Sequence, residues 1–456
     1  MTQAAAAARR RVLVVTLDTI ARAMAGPAIR AWEISRELSR TCDVALVTFG
    51  ACNRDGEGFA VRQVDVGSFR AEVDAVDVVV IQGFVVRTFP WLQDVPQHVV
   101  IDLYDPFQLE TLEVDRYQPE PVRWEALERA RGELDVQMRR GDLFLCASGR
   151  QRDLWLGHLA AAGRVNPATY DDDPSLTRLI TIVPFGMAST PPQRSAARLK
   201  GVVDGIGPDD KVILWGGGVY NWFDPLTLVR AMGILSARDP SVRLLFLGMR
   251  HPNPDVPEMA VATRTQALAS ELGLNGTVVF FHEQWVPYDE RADYLVDADV
   301  GVSCHFPHVE TEFSFRTRIL DYLWASLPVV CTMGDEFARL VEAAGAGVAV
   351  LPEDPEALAD ALQLALDPAH GAAFREGSAR LAGGFRWGET LAPLVEYCAA
   401  PWYAADRTMT RHSTQVGVQA SIARDMRSLV RHLRVGGVRQ VVRKVRWRLA
   451  RRGQVS

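Results

Sequence analysis

Residues 305–330, HFPHVETEFSFRTRILDYLWASLPVV, gather His305, His308, Glu310, Glu312, Arg316, Arg318 and Asp321 ahead of a hydrophobic, strand-like run. Three kinds of chemistry fit such a set. Imidazoles and carboxylates are metal ligands, but no further His or Cys cluster with metal-site spacing accompanies them, so no metal is expected. Acids ahead of a helix suit the positive end of its dipole, which accounts for Glu310 and Glu312. Arg316 and Arg318, in the first turn of a helix expected over 315–325, stand against that dipole. Their placement makes sense where an anion is held too, by the helix N-terminus and the guanidinium groups together.

Two more stretches carry candidate chemistry. IDLYDPFQLE reads as a buried strand ending in Asp102, Tyr104 and Asp105, at the C-terminal rim where α/β enzymes bind substrates. Those groups either recognise or polarise a substrate hydroxyl, or Asp105-Pro106 forms a turn that caps the following helix. ILWGGGVYNWFDP is either a plain tight turn or a loop whose Gly217 and Gly218 amides approach a phosphate. No Gly-x-Ser-x-Gly elbow and no Walker loop appears, which leaves hydrolase and P-loop readings without support.

The elements that must position these residues alternate. RVLVVTL, DVALVTF, DVVVIQGF, HVVIDLYD, DLFLCAS and LITIVPFG are continuous apolar runs, the pattern of strands buried on both faces of a parallel sheet. Helical spacing separates the first two. A Pro- and Gly-rich stretch follows, and a second series begins with KVILWGGG and ends with GVAVLP. The expected class is α/β, with two Rossmann-like domains facing each other across a cleft. The boundaries read as 1–190 and 211–390 for the domains, 191–210 for the linker, 391–406 for a helix returning to the first domain, and 407–456 for a tail.

The chain of 456 residues has 23% charged and 48% hydrophobic residues, ordinary globular values that exclude wholesale disorder. Its net charge of −6 conceals an asymmetry: residues 407–456 hold thirteen Lys or Arg against Asp425 alone, which leaves −18 on the remainder. Apolar Val438, Val441, Val442, Val445, Trp447 and Leu449 fall on one face at helical spacing. This predicts a basic amphipathic helix lying on an anionic membrane surface. An arm packed on the acidic body or on a protein partner remains the alternative; nucleic acid is not expected, since no recognised nucleic-acid-binding fold accompanies the tail. Six scattered cysteines without a CxxC pair point to a reducing compartment. The first apolar run, closed by Asp18, is too short for a secretory signal. The expected location is cytoplasmic, peripheral at the inner face of the plasma membrane.

FRTRILDYLWASLPVVCT resembles the sugar-nucleotide segment of retaining GT-B glycosyltransferases, especially glycosyltransferase family 4. Asp321 matches that family's ribose-binding acid, and ASLPVV the turn after it. The first family glutamate falls eight positions earlier, at Phe313 here; Glu312 stands one place away and Glu310 three. The family's Arg and Lys after the glycine loop are replaced by Asn221, Trp222 and Asp224. MAGPAIRAWEISREL is similar to the small-residue loop and helix that face the donor phosphates, with Gly26 permitting close approach and Arg30 reading as a solvated helix residue.

The resemblance implies transfer of a sugar from a nucleoside-diphosphate sugar to a surface-glycan or lipid-linked acceptor, with retention and no cofactor or obligatory metal. It implies Gly26, Gly217, Gly218, Arg250, Arg316, Arg318 and Asp321 as donor ligands. It also implies Glu310, Glu312 and Asp105 as catalytic carboxylates, and Asp102 and Tyr104 at the acceptor. A GT-B sugar-nucleotide epimerase and a catalytically silent GT-B scaffold are the alternatives.

Overall fold

The computed structural model describes residues 9–253, 256 and 259–407. The chain divides into a body ending at Ala404 and a C-terminal unit, 405–456, of which the predicted basic helix lies outside the described residues.

Two parallel sheets organise the body. The first is ordered β3-β2-β1-β4-β5-β6-β7, comprising β1 (Arg11–Thr16), β2 (Asp43–Thr48), β3 (Ala60–Gln63), β4 (Val78–Gln82), β5 (His98–Asp102), β6 (Leu143–Cys146) and β7 (Ile180–Ile182). The second is ordered β10-β9-β8-β11-β12-β13, comprising β8 (Lys211–Trp215), β9 (Val242–Leu247), β10 (Val279–His282), β11 (Val300–Ser303), β12 (Val329–Thr332) and β13 (Gly347–Val350). Every apolar run singled out in the sequence is a strand. β3 escapes that pattern because it is an edge strand whose side chains are largely exposed, so burial imposes no apolar run on it.

In each sheet the connection reverses beside the first strand, between β1 and β4 and between β8 and β11. That reversal opens a crevice at the strand C-termini. The linker is tied to the second lobe through Asp293, whose carboxylate accepts from the Ser195 and Ala196 amides and from Arg198. The helices Trp387–Thr390 and Ala392–Ala399 return the chain to pack on helix Gly26–Leu38.

Helix 315–325 does not form as expected. Ser314 is extended and splits the segment into helices Val309–Phe313 and Arg318–Trp324. Arg316 therefore precedes the second helix by two residues, and only Arg318 lies in its first turn.

Beneath the first crevice, Arg30 is fully buried rather than solvated. Its guanidinium donates to both Asp102 oxygens at 2.7 and 2.8 Å and to the Val183 carbonyl at 2.9 Å, while Gln82 donates to the same carboxylate at 3.0 Å. The pair joins helix Gly26–Leu38 to β5 and to the segment after β7. Asp102→Ala, by stranding a buried guanidinium, should cost about 3–5 kcal/mol and lower the thermal unfolding midpoint. The double variant Arg30→Met, Asp102→Leu should recover most of that loss. An unchanged midpoint in Asp102→Ala would show that the pair does not support the fold.

Candidate functional site

The two crevices face each other around a cavity of about 550 Å³. The first lobe lines it with Gly26, Tyr104, Asp105, Glu110 and Phe185. The second supplies Gly217, Gly218, Trp285, Arg291, Arg318 and Asp321. Direct bonds hold the lobes together around this space. The Trp285 indole donates to the Met24 carbonyl at 3.0 Å, Asn221 donates to the Val114 carbonyl at 2.9 Å, and the Tyr288 hydroxyl bonds Glu33 at 2.9 Å.

The second-lobe wall is built on the glycine loop after β8. Gly217 adopts φ +85°, which favours glycine. A Cβ at Gly218 would lie 2.8 Å from the Tyr220 ring and 3.1 Å from Trp285, so the loop packs closely against aromatic side chains. Arg318 clamps this loop from behind, its Nη2 donating to the Gly218 carbonyl at 2.7 Å. Its guanidinium carbon lies 4.3 Å from the Trp215 ring centroid and 4.0 Å from that of Phe223. Burial lowers its pKa to about 10, which keeps it cationic at neutral pH, and its Nη1 has no hydrogen-bond partner among the described residues. That buried nitrogen keeps both its N–H groups unpaired among the described residues.

Asp321 borders the cavity and accepts from Arg291 Nε at 3.2 Å. Arg291 stacks 3.8 Å from the Tyr288 ring centroid and 4.7 Å from that of Trp324. Sequence reading passed over Arg291, because thirty positions separate it from the acid it serves. Of the residues standing where the family has its Arg and Lys, Asn221 bridges the lobes and Asp224 caps helix Pro225–Arg238. The cations at this wall come from Arg291, Arg316 and Arg318 instead.

Several expectations are corrected. Glu310 does not border the cavity: it is buried behind Arg316, which donates to its two oxygens at 3.0 and 2.6 Å. It therefore positions Arg316 rather than touching a substrate, and it also neutralises that arginine. Glu312 is exposed away from the cavity, and its backbone carbonyl accepts from Arg150. Arg250 has 82% of its side chain exposed, 3.7 Å from Glu283, and borders an adjoining pocket of about 280 Å³ rather than the main cavity. Asp102 is committed to Arg30 and Gln82 and leaves nothing for an acceptor.

The histidines also take structural roles. His308 is the N-cap of helix Val309–Phe313. His305 is buried 3.7 Å from Asp335, with its pKa depressed to about 3 by burial and then by Arg316. Among the described residues, no three or more His, Cys, Asp or Glu side chains are grouped to hold a metal ion.

Asp105 and Tyr104 do line the cavity, joined by Glu110, one helical turn beyond. Asp105 does not cap the following helix, whose N-terminus carries no side-chain cap bond. Burial, and then the neighbouring Asp102, raise the Asp105 pKa to about 7. Glu110 is pushed well above the usual carboxylate range by burial and by Asp105. A carboxyl titrating near neutrality in a cleft is suited to proton handling. Glu110 was missed because one acid in FQLETLEV reads as an ordinary helix residue.

Comparison with known proteins agrees with this geometry. Residues 210–367 match the family described as Glycosyl transferases group 1. D-inositol 3-phosphate glycosyltransferase 2 of Catenulispora acidiphila is 29% identical over 195 residues, 42% of this chain and 44% of its own. The D-inositol 3-phosphate glycosyltransferase of Thermobispora bispora is 30% identical over 207 residues, 45% of this chain and 46% of its own. The chain thus matches less than half the length of these curated relatives. The Anabaena protein HepE, solved with UDP and glucose, superposes with a TM-score of 0.61 at 14% identity, covering 85% of this chain and 98% of that one, a likeness of fold. The family match lies on the second lobe, and the two-lobed body has the GT-B fold of that solved structure.

Proposed function

We propose that this chain transfers a sugar from a nucleoside-diphosphate sugar to a hydroxyl of a surface-glycan or lipid-linked acceptor, with retention and without an obligatory metal. The observation that carries the reading is the pairing of walls across one cavity: glycine amides with Arg318, Arg291 and Asp321 on one side, Tyr104, Asp105 and Glu110 on the other. That HepE is solved with UDP and glucose, and that the curated relatives are named glycosyltransferases, supports a nucleotide-sugar donor.

The reaction breaks the bond between the anomeric carbon and the diphosphate. Negative charge then grows on the departing phosphate as positive charge grows on the sugar. Fixed donors aimed at that phosphate stabilise the separation without reorganising. Gly217 and Gly218 amides and the spare Arg318 Nη1 supply those donors. Arg316, held by Glu310, adds field with less net charge. Asp321 takes the ribose hydroxyls, its carboxylate oriented by Arg291. Asp105, once ionised, accepts a hydrogen bond from the incoming acceptor hydroxyl and makes it the better nucleophile.

We place the protein in the cytoplasm at the inner face of the plasma membrane, anchored through the basic stretch 407–456. Removing residues after Arg407 should release the protein from anionic liposomes in a flotation assay. Continued binding would overturn that assignment.

Calorimetric titration with UDP, GDP, ADP and dTDP in chelator-containing buffer should find one saturating ligand. Asp321→Ala and Arg318→Ala should each weaken it at least tenfold while far-UV circular dichroism is retained. No binding by any nucleotide, or unchanged affinity in both variants, would refute the donor site. The pH dependence follows from Asp105. Its raised pKa leaves it neutral below about 7, so kcat/KM should rise as pH passes through that value. The rise should vanish in Asp105→Asn. A profile of the same shape in that variant would remove Asp105 from the chemistry.

A further inference from the structure

The first-lobe wall carries more information than its part in the reaction. Among the described residues, its contribution to the cavity contains two carboxyls, Asp105 and Glu110, and no Lys, Arg or His. Neither carboxyl forms an ion pair among the described residues. Two cations act on them: Arg30 is fully buried and engaged by Asp102 and the Val183 carbonyl, with Tyr104 and Phe185 rings at 5.1 and 5.2 Å over its guanidinium, and Arg316, which acts on Glu110, is paired with Glu310. Arg291 and Arg318 stand on the second-lobe wall, where a diphosphate requires them.

We propose that the acceptor moiety entering this wall is non-anionic, a neutral or amino-bearing polyol that carries no phosphate or carboxylate at the group recognised there. This rests on the assignment of the cleft as a nucleotide-sugar site and sharpens it to a charge class of acceptor. Once Asp105 is ionised, as the reaction requires, an anion seated against it meets like charge in a partly desolvated space, and no first-lobe side chain lining the cavity compensates it. A hydroxyl or ammonium instead finds two carboxyls able to accept hydrogen bonds. Burial first, and then neighbouring carboxylates, disfavour the ionised form of both carboxyls, and a cationic or hydroxylic ligand that bonds to them offsets that cost. The constraint falls on the sugar that reaches the wall. A charged lipid carrier attached further along an acceptor lies outside it.

The assignment departs from the phosphorylated substrate in the names of the curated relatives, and that difference makes it testable. The full chain, first saturated with the nucleotide it binds, is titrated with glucose, glucosamine and glucose 6-phosphate. Glucose or glucosamine should bind at millimolar concentration, and glucose 6-phosphate at least tenfold more weakly. Above about pH 7, where Asp105 is ionised, Asp105→Asn, with nucleotide affinity unchanged as the check on folding, should narrow that gap severalfold. Glucose 6-phosphate binding as tightly as the others overturns the inference, as does a gap untouched by Asp105→Asn or the failure of all three sugars to bind. Failure of the nucleotide to bind in the first step would instead sink the donor reading itself.

Discussion

The buried Arg30–Asp102 pair underlies the arrangement of the whole first lobe at the cleft. Taking two charges out of water is expensive, and their attraction compensates only where the remaining donors and acceptors are also engaged. Here Val183 and Gln82 complete the set, and two aromatic rings cover the guanidinium. The end of β5 is thereby fixed to helix Gly26–Leu38. Tyr104 and Asp105, just past that strand, are then projected into the cavity. The pair also sets their chemistry. Asp102 is satisfied by its own cation, yet its negative charge still acts on Asp105, which has no partner of its own.

The second lobe repeats the device with different parts. Each cation at the wall is held before any ligand arrives: Arg316 by Glu310, Arg318 by the Gly218 carbonyl and two aromatic faces, Arg291 by Asp321 and a stack of Tyr288 and Trp324. Held guanidinium groups lose little freedom when a diphosphate docks, which is what preorganisation means at such a site. The arrangement also accounts for the absent Arg and Lys after the glycine loop. Asn221 and Asp224 have been turned to bridging the lobes and capping a helix, while positive charge comes from Arg291, Arg316 and Arg318 on the same wall.

The lobes meet through side chain to backbone bonds from Trp285 and Asn221 and a buried Tyr288–Glu33 contact. These bonds surround the cavity rather than cross its centre.

The apolar runs by themselves determined the two-lobed parallel architecture, because a strand covered on both faces must be hydrophobic along its length, and that demand is written locally. Edge strand β3, free of it, left no such mark. The glycine loop, Tyr104 and Asp105 were likewise visible as flexible or polar positions just beyond strand ends, Arg318 as a cation at a helix start, and Asp321 through the family resemblance. What only the tertiary structure decided is which charged residues face a ligand and which serve as struts. Arg30 and Asp102 are 72 positions apart, and Arg291 and Asp321 are 30. Glu310 and Glu312 are two apart, yet one is buried beneath Arg316 and the other points to solvent. A charge's role depends on the partner that folding brings to it, and no local spacing encodes that partner.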